Sequence, residues 1–600
     1  MHTSPTNDIK PTIQSIQAGE HVLTNPEDIS NFMNNLFITQ NALREHTDSK
    51  RYKPTYKATC NSIFMTPTDK DEILKIVKRM KNKKSSGYDG ITMQVVKSCI
   101  VYIVEPLVYI INLMIEQGCF PDELKITLVK PLHKKGPKVN PNNYRPIALL
   151  PAFSKIFESV INNRLLHYLD KNELLCKNQF GFRKGKSTSM AIYSMLSGVW
   201  DSLDNKKACT ALFLDMSRAF DCVVPKILLQ QLEHIGIRGT AQDLLSSYFS
   251  NRTQTTVLNT YNVKTKVVET THSSVCNVEL GVPQGSILGP PLFLVYINEL
   301  PSLTKHLSVL YADDATVLFV KSGLNNSDYA NTITTTLKGL IEWLNTLNLQ
   351  INISKTKIMQ FYNYKATPID LNINIFGSSV SEVCQVDFLG VSLDSNLNWK
   401  SHLANINSKI SSHCYALSVL VDVASIEVAK NAYYGSIYPL LTYGVIFWGN
   451  SVNVKQTFLL QKRSLRIIYC KKNDDTLRQL FTEKQILTLT GIYILQIALF
   501  VRNNNELFKN KSVMRVRDTK MRGNDYLFMP QTKSSIYKKS TFISAIHIYN
   551  LLPKVITDIP NNAQFGRKLK KWLIDNVFYD LKEFTNRDIS GEMTLLNKQF

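Results

Sequence analysis

Two carboxylates stand side by side in Leu310-Tyr311-Ala312-Asp313-Asp314-Ala315, flanked by the apolar runs 307–310 and 316–320. Both runs are rich in β-branched and aromatic residues, so they read as the strands of a hairpin with the acidic pair at its turn. Like charges on a tight turn repel, and a fold keeps them readily when a strong positive charge, such as a divalent metal, sits beside them. The plainer reading is a solvated turn in which Asp serves local backbone hydrogen bonds. A third carboxylate bears on the choice. The strand-like run Thr210-Ala211-Leu212-Phe213-Leu214 ends in Asp215, where a site residue or a cap for the following helical sequence would both fit. If neighbouring antiparallel strands bring Asp215, Asp313 and Asp314 together, they form a set of hard oxygen ligands with room for waters and phosphates, which is what Mg2+ prefers. Two such ions about 4 Å apart can activate a 3′-hydroxyl and stabilise a pyrophosphate leaving group. Chemistry of this kind rests on positioning and charge, and needs no nucleophilic Ser or Cys.

The surrounding chain supplies elements that could hold such a site. A polar lead-in with one amphipathic stretch, 29–43, reads as peripheral. A capped helix from about residue 66 to 80 precedes the basic loop Lys81-Asn82-Lys83-Lys84-Ser85-Ser86-Gly87-Tyr88-Asp89-Gly90, which suits either a phosphate backbone or a solvated connector. A strand over 127–132 runs into a basic turn, and a periodic helix spans 151–170. In Gln179-Phe180-Gly181-Phe182-Arg183-Lys184-Gly185-Lys186-Ser187-Thr188, aromatics interleave with Lys and Arg. That pattern suits a surface that stacks bases and neutralises phosphates, although both Phe side chains equally suit a core. Residues 251–280 alternate polar and β-branched positions as in a meander. They lead into a glycine-bearing loop, 280–289, that opens an apolar helix whose N-terminus favours phosphate. Another helix covers 332–345, and beyond about 395 the chain turns helical and basic, with clusters at 462–466 and 567–571 that suit nucleic acid or a solvated face.

Composition narrows the partner. The 600 residues carry 70 Lys and Arg against 48 Asp and Glu, a net charge of +22, which favours a polyanion, nucleic acid foremost, over an acidic small molecule. The length predicts two to four structural units. Ten cysteines without a single Cys-x-x-Cys predict reduced, mostly buried thiols in an intracellular protein and no zinc site. The polar N-terminus predicts no secretory signal. The longest apolar run, 100–115, is broken by Glu105, Pro106 and Asn112 and predicts a buried core helix rather than a membrane span.

Tyr311-Ala312-Asp313-Asp314, with Leu214-Asp215 and Ala219-Phe220-Asp221 upstream and Gly281-Val282-Pro283-Gln284-Gly285-Ser286 between, resembles the reverse transcriptases of non-LTR retrotransposons, LINE-type and jockey-like. The resemblance also takes in Ser85-Ser86-Gly87-Tyr88-Asp89-Gly90, Tyr144-Arg145-Pro146-Ile147, Gln179-Phe180-Gly181-Phe182-Arg183, Lys355-Thr356 and Phe388-Leu389-Gly390. It covers about residues 60 to 400, and more weakly the tail through Tyr549-Asn550-Leu551-Leu552-Pro553.

The resemblance implies an α+β right-hand polymerase: a lead-in over 1–60, fingers over 61–205, a ferredoxin-like palm sheet over 206–395 with helical fingers before and inside it, and a helical thumb and C-terminal region over 396–600. It implies RNA-templated DNA synthesis from a primer 3′-hydroxyl, with dNTPs, an RNA template and a DNA primer or target as partners, and two Mg2+ ions, or Mn2+ in their place; the apolar pattern already predicts no membrane partner. Asp215, Asp313 and Asp314 would bind the metals with the Met216 carbonyl. Lys355 would be the general acid for pyrophosphate. Lys134 and Arg145 would meet the triphosphate, and Gln284 and Gly285 would lie against the template–dNTP pair. Phe220 would exclude a ribose 2′-hydroxyl, and Phe388, Leu389 and Gly390 would grip the primer. The family's priming on chromosomal DNA implies nuclear access as well as a cytoplasmic ribonucleoprotein. The stretch before the first polymerase motif is too short for the endonuclease that complete elements carry, so no nicking activity is expected of these residues. Two rival functions are an RNA-templated RNA polymerase, against which Phe220 argues, and a non-catalytic RNA-binding scaffold of the same fold.

Overall fold

The computed structural model describes residues 13–39, 52–54, 58–262, 267–362, 368–472, 476–508 and 527–586. A small hairpin, β1 (Ile16–Ala18) and β2 (His21–Leu23), leads into α1 (Pro26–Thr39). Asp69 caps α2 (Lys70–Arg79) by accepting from the Glu72 N–H, and Thr92 caps α3 (Met93–Gln117) by accepting from Val95. The hairpin β3 (Ile126–His133) and β4 (Tyr144–Leu149) follows, then α4 (Ala152–Lys171) and α5 (Thr188–Asp204). Next come β5 (Cys209–Leu214), β6 (Met216–Ser217), α6 (Pro225–His234) and α7 (Thr240–Phe249). The predicted meander is β7 (Thr253–Asn262), β8 (Val267–His272) and β9 (Cys276–Asn277), and α8 (Gly289–Tyr296) opens after the glycine-bearing loop.

The acidic hairpin is β10 (Leu307–Tyr311) and β11 (Asp314–Val320), followed by α9 (Asn326–Thr346), β12 (Gln350–Ile351) and β13 (Lys357–Phe361). Short strands β14 (Asn374–Ile375), β15 (Ser378–Ser379) and β16 (Ser381–Glu382) precede the hairpin β17 (Gln385–Phe388) and β18 (Val391–Asp394). From α10 (Lys400–Val423) onward the described chain is helical, as expected.

Two five-stranded sheets organise the first 400 residues. The first has the order β10-β11-β5-β13-β16. Its four long strands enter as β5, then helices, β10, β11, helix α9 and β13, with β5 between β11 and β13, which is the ferredoxin-like split βαβ expected. All six residues of β5 are buried because both faces of the sheet are covered, so the strand carries no polar alternation. Cys209, Ala211 and Phe213 join a core with α5, the β17–β18 hairpin and the C-terminal helices. Leu212 and Leu214 join a second core with α3, α4 and α6 to α9.

The second sheet has the order β4-β3-β7-β8, with β9 beside β7, and the β3–β7 pairing is parallel. Strands from within 206–395 therefore complete a sheet begun before residue 205, so the segment expected to be helical fingers also carries strands. Thr255, Thr256, Val257 and Leu258 are all buried, so both faces of β7 are covered there, and the polar Thr hydroxyls are held by hydrogen bonds to Ser273 and Asn34. The lead-in is not peripheral either: Ile13, Ile16, Ile29, Met33 and Phe37 pack with Val129, Tyr144 and Leu258 into a third core. The rest of the stretch read as amphipathic, 40–43, lies outside the described residues.

Two further expectations need correction. Only Cys209 and Cys414 are buried among the ten free cysteines, while Cys60, Cys119, Cys384 and Cys470 are exposed. The apolar run at 100–115 is one face buried and one face open. Val96, Ile100, Val104, Leu107 and Ile111 pack inward, whereas Tyr102 is 85% and Tyr109 69% exposed. Among the described residues, α3 is the one helix long and apolar enough to cross a membrane by length and composition.

Candidate active site

The β10–β11 register pairs Tyr311 with Asp314, leaving Ala312 and Asp313 as a two-residue turn. Ala312 adopts the left-handed conformation, φ 57°. On the other edge of β11, Ala315 faces Leu214, so one more step of the same register sets Asp314 opposite Asp215. The strand pairing thus brings the three carboxylates to one end of one sheet.

They act on one another electrically. Burial pushes the Asp314 carboxyl up to about 6, and the charges of Asp313 and Asp215 add to it. Asp313 is also raised, chiefly by burial, with Arg145 and Lys134 pulling it back and Asp215 reinforcing it. Lys355 Nζ stands 3.6 Å from Asp215 Oδ2. The short β12 pairs with β6, and the Asn352 N–H donates to the Asp215 carbonyl, which fixes the loop carrying Lys355 beside the end of β5. Three carboxylates at one end of one sheet fit a hard divalent cation in donor type. Among the described residues no set of three or more His, Cys, Asp or Glu is already gathered closely enough to enclose an ion.

The β3–β4 hairpin brings the basic residues. Its register sets Leu132 opposite Arg145, and the Lys134 N–H donates to the Asn143 carbonyl just beyond it. Burial lowers the proton affinity of Lys134, and the neighbouring positive charges of Arg145 and Lys355 lower it further. Lys134, Arg145, Lys355 and the three aspartates are therefore close enough to sense one another.

Phe220 is half-buried, stacked on Phe293 at a centroid distance of 4.4 Å and met edge-on by Phe182 at 6.3 Å. The 179–188 loop is thus split: Phe180 is buried in the core, and Phe182 is exposed beside Phe220. Gln284 is tied down, because its Nε2 donates to Asp221 Oδ2 at 2.6 Å and its carbonyl accepts from the Ala148 N–H of β4. Gly285, with φ 133°, lies so close to β4 that an added Cβ would stand 2.7 Å from the Ala148 carbonyl oxygen. The expected phosphate-binding N-terminus of α8 is instead served by protein. The fully buried Glu158 carboxylate accepts from the Ile287 and Leu288 N–H groups, and burial raises its proton affinity.

Leu389 and Gly390, with φ 48° and 80°, form the turn of the β17–β18 hairpin. Phe388 is buried against Phe213 of β5 at 5.5 Å, and the Tyr443 hydroxyl donates to the Leu389 carbonyl. The hairpin is anchored to the aspartate sheet through Phe213.

Sequence reasoning passed over three residues that hold the site: Asp221, Glu158 and Gln179. Glu158 had a signal, an acid among the apolar positions Ile156, Phe157, Val160 and Ile161 of a periodic helix. Asp221 and Gln179 had none beyond their place in the motifs, because their partners lie far along the chain.

A split βαβ sheet with carboxylates at one end, and basic side chains around them, is an arrangement suited to metal-assisted phosphoryl transfer. Residues 132–393 match the reverse transcriptase (RNA-dependent DNA polymerase) family, and every site residue named above from Lys134 to Gly390 lies within that match. Among its relatives, a probable RNA-directed DNA polymerase from transposon BS of Drosophila melanogaster is 27% identical over 469 residues, 75% of this chain and 50% of the relative. A probable RNA-directed DNA polymerase from transposon X-element of the same organism is 28% identical over 420 residues, 67% of this chain and 44% of the relative. The RNA-directed DNA polymerase from mobile element jockey of Drosophila melanogaster is 26% identical over 421 residues, 68% and 44% respectively. The chain spans about half the length of these relatives.

Proposed function

We propose that the chain extends a primer 3′-hydroxyl with dNTPs on an RNA template, as a non-LTR retrotransposon reverse transcriptase. The observation that carries this reading is the convergence of Asp215, Asp313 and Asp314 at one sheet end with the Lys355 ammonium 3.6 Å from Asp215. Bound between these carboxylates, two divalent ions, Mg2+ or Mn2+, would supply activation of the 3′-hydroxyl and charge stabilisation of the leaving pyrophosphate. The aspartates orient the reacting groups and Lys355 delivers a proton to the pyrophosphate oxygen. Lys134 and Arg145 draw in the triphosphate from the β3–β4 side.

Phe293 and Phe182 brace the Phe220 ring, which supports the reading that it stands where it would crowd a ribose 2′-hydroxyl and favour DNA over RNA as product. Gln284 and Gly285, against β4, form the floor for the template–dNTP pair. The turn at Leu389 and Gly390 holds the primer end. In this reading the aspartate sheet with its helices is the palm, the β3-β4-β7-β8 sheet with α2 to α4 is the fingers, and the helices from α10 onward are the thumb.

Primer extension on poly(rA)/oligo(dT) with Mg2+ tests the proposal. Wild-type protein should extend with dTTP, and Asp313→Asn should abolish extension while RNA binding stays nearly unchanged. Extension that survives the substitution, or equal use of ribonucleotides, would overturn it.

A further inference from the structure

The acidic turn is held from outside its own sheet. Gln179 is 1% exposed, and its Oε1 accepts from two main-chain N–H groups, Gly181 at 2.8 Å and Ala312 at 3.1 Å. The flanking main chain adds two more bonds: Leu310 N–H donates to the Asn178 carbonyl at 2.9 Å, and Phe180 N–H to the Leu310 carbonyl at 2.8 Å. Gly181 lies so close to the turn that an added Cβ would stand 2.3 Å from the Ala312 nitrogen. Residues 178–181 therefore run along β10 as a short parallel clamp that ends on the turn carrying Asp313.

We infer that Gln179 is a positioning residue for the aspartate hairpin, setting the Ala312 peptide and with it the aim of Asp313 and Asp314. Ala312 sits in a left-handed conformation that residues with a Cβ adopt reluctantly, so something must hold it there. The Ala312 N–H is buried, and without Gln179 it would have no acceptor in view. The amide orientation agrees with this role. Two donors on one side demand the carbonyl oxygen, and Nε2 is left buried without a partner. A buried donor is left unmade while the acceptor serves the turn, which marks the acceptor as the group the site uses.

The inference rests on the polymerase reading for its consequence in turnover, but its geometry is independent of it. Gln179→Met keeps size and removes the acceptor. Gln179→Glu keeps an acceptor oxygen, in its protonated form without added charge. Gly181→Ala disturbs the same contact from the backbone side while leaving Gln179 in place. The tests are single-nucleotide incorporation, RNA/primer binding, and Mn2+ titration of the free protein followed by electron paramagnetic resonance.

Gln179→Met and Gly181→Ala should lower kcat by roughly a hundredfold, as a small misplacement of reacting groups does. The KM for dNTP and the affinity for RNA/primer should hold. Mn2+ affinity should fall about tenfold, the usual cost of losing a residue that orients metal ligands. Gln179→Glu should recover most of the loss. Wild-type kcat and Mn2+ affinity in Gln179→Met would overturn the inference, as would a kcat loss matched by an equal loss of folded protein in the circular dichroism melt. If wild-type protein does not polymerise, the functional reading falls, and the Mn2+ titration still decides the role of Gln179: a tenfold loss supports it and an unchanged affinity overturns it.

Discussion

Lys355 and Asp215 face each other across 3.6 Å at the open end of the aspartate sheet, and both are well exposed, 62% and 41% at the side chain. An exposed ion pair contributes only about 0–1 kcal/mol to stability, so this pair matters for where it puts an ammonium rather than for how firmly it holds the fold. Lys355→Met should leave the melting temperature almost unchanged. It should slow single-nucleotide incorporation by roughly 10²–10⁴-fold, the range of a lost general acid, with RNA affinity intact. Rapid-quench kinetics measure this, and a wild-type rate would remove Lys355 from proton transfer.

Asp221 gives the chain a pH dependence of known sign. Burial pushes its carboxyl from an ordinary 3.8 up to about 6, with Gln284 and the Arg218, Arg145 and Arg252 charges pulling back. Between about pH 4 and pH 6 the folded chain therefore holds a proton that the unfolded chain has released. This group's share of stability is complete at the acid end of the window and is lost as pH rises through it. Asp314, also near 6, acts in the same direction. His402 acts in the opposite one, because burial lowers it from 6.5 to about 4 and its share is lost as pH falls. Comparing Asp221→Asn with wild type isolates the first effect. The melting temperature of the variant minus that of wild type should grow as pH rises from 4 to 7 in metal-free buffer. A difference constant across that range would contradict the assignment.

Phe220 should set the choice between deoxyribo- and ribonucleotides through its brace. Phe220→Val removes the ring and should lower the dNTP-over-rNTP ratio of kcat/KM by about tenfold or more, the scale on which a steric gate discriminates. Phe182→Ala withdraws the edge contact at 6.3 Å but leaves the stack on Phe293, so it should produce a smaller fall in the same direction. Steady-state incorporation of dTTP and UTP on poly(rA) checks both, and an unchanged ratio in Phe220→Val would dismiss the gate.

Much of the architecture was legible in local patterns. The β-branched runs around Asp313 and Asp314 became β10 and β11, with β11 starting two residues earlier than the apolar pattern suggested because Asp314 itself pairs with Tyr311. The capped helix at 70, the meander at 253–277 and the helices after 395 were equally readable from capping residues, alternation and periodicity. The partnering of these pieces was not. Nothing in the alternation of 253–258 says that the strand pairs in parallel with β3, more than 120 residues earlier. An amphipathic helix at 26–39 shows that it needs an apolar surface, but not which one.

By itself, the sequence marked Asp215, Asp313 and Asp314 as a possible set of hard oxygen ligands, because carboxylates at a strand end and a hairpin turn can meet across one sheet, and its resemblance to the retrotransposon reverse transcriptases added Lys355. Only the tertiary structure decided what holds them. The Oε1 of Gln179 on the Ala312 N–H, the Asp221 carboxylate on Gln284, and Glu158 on the Ile287 and Leu288 N–H groups join residues 63 to 133 positions apart. Hydrogen bonds of that kind are set by how sheets and helices pack, and packing distances are not encoded in the spacing of residues along one strand or one helix.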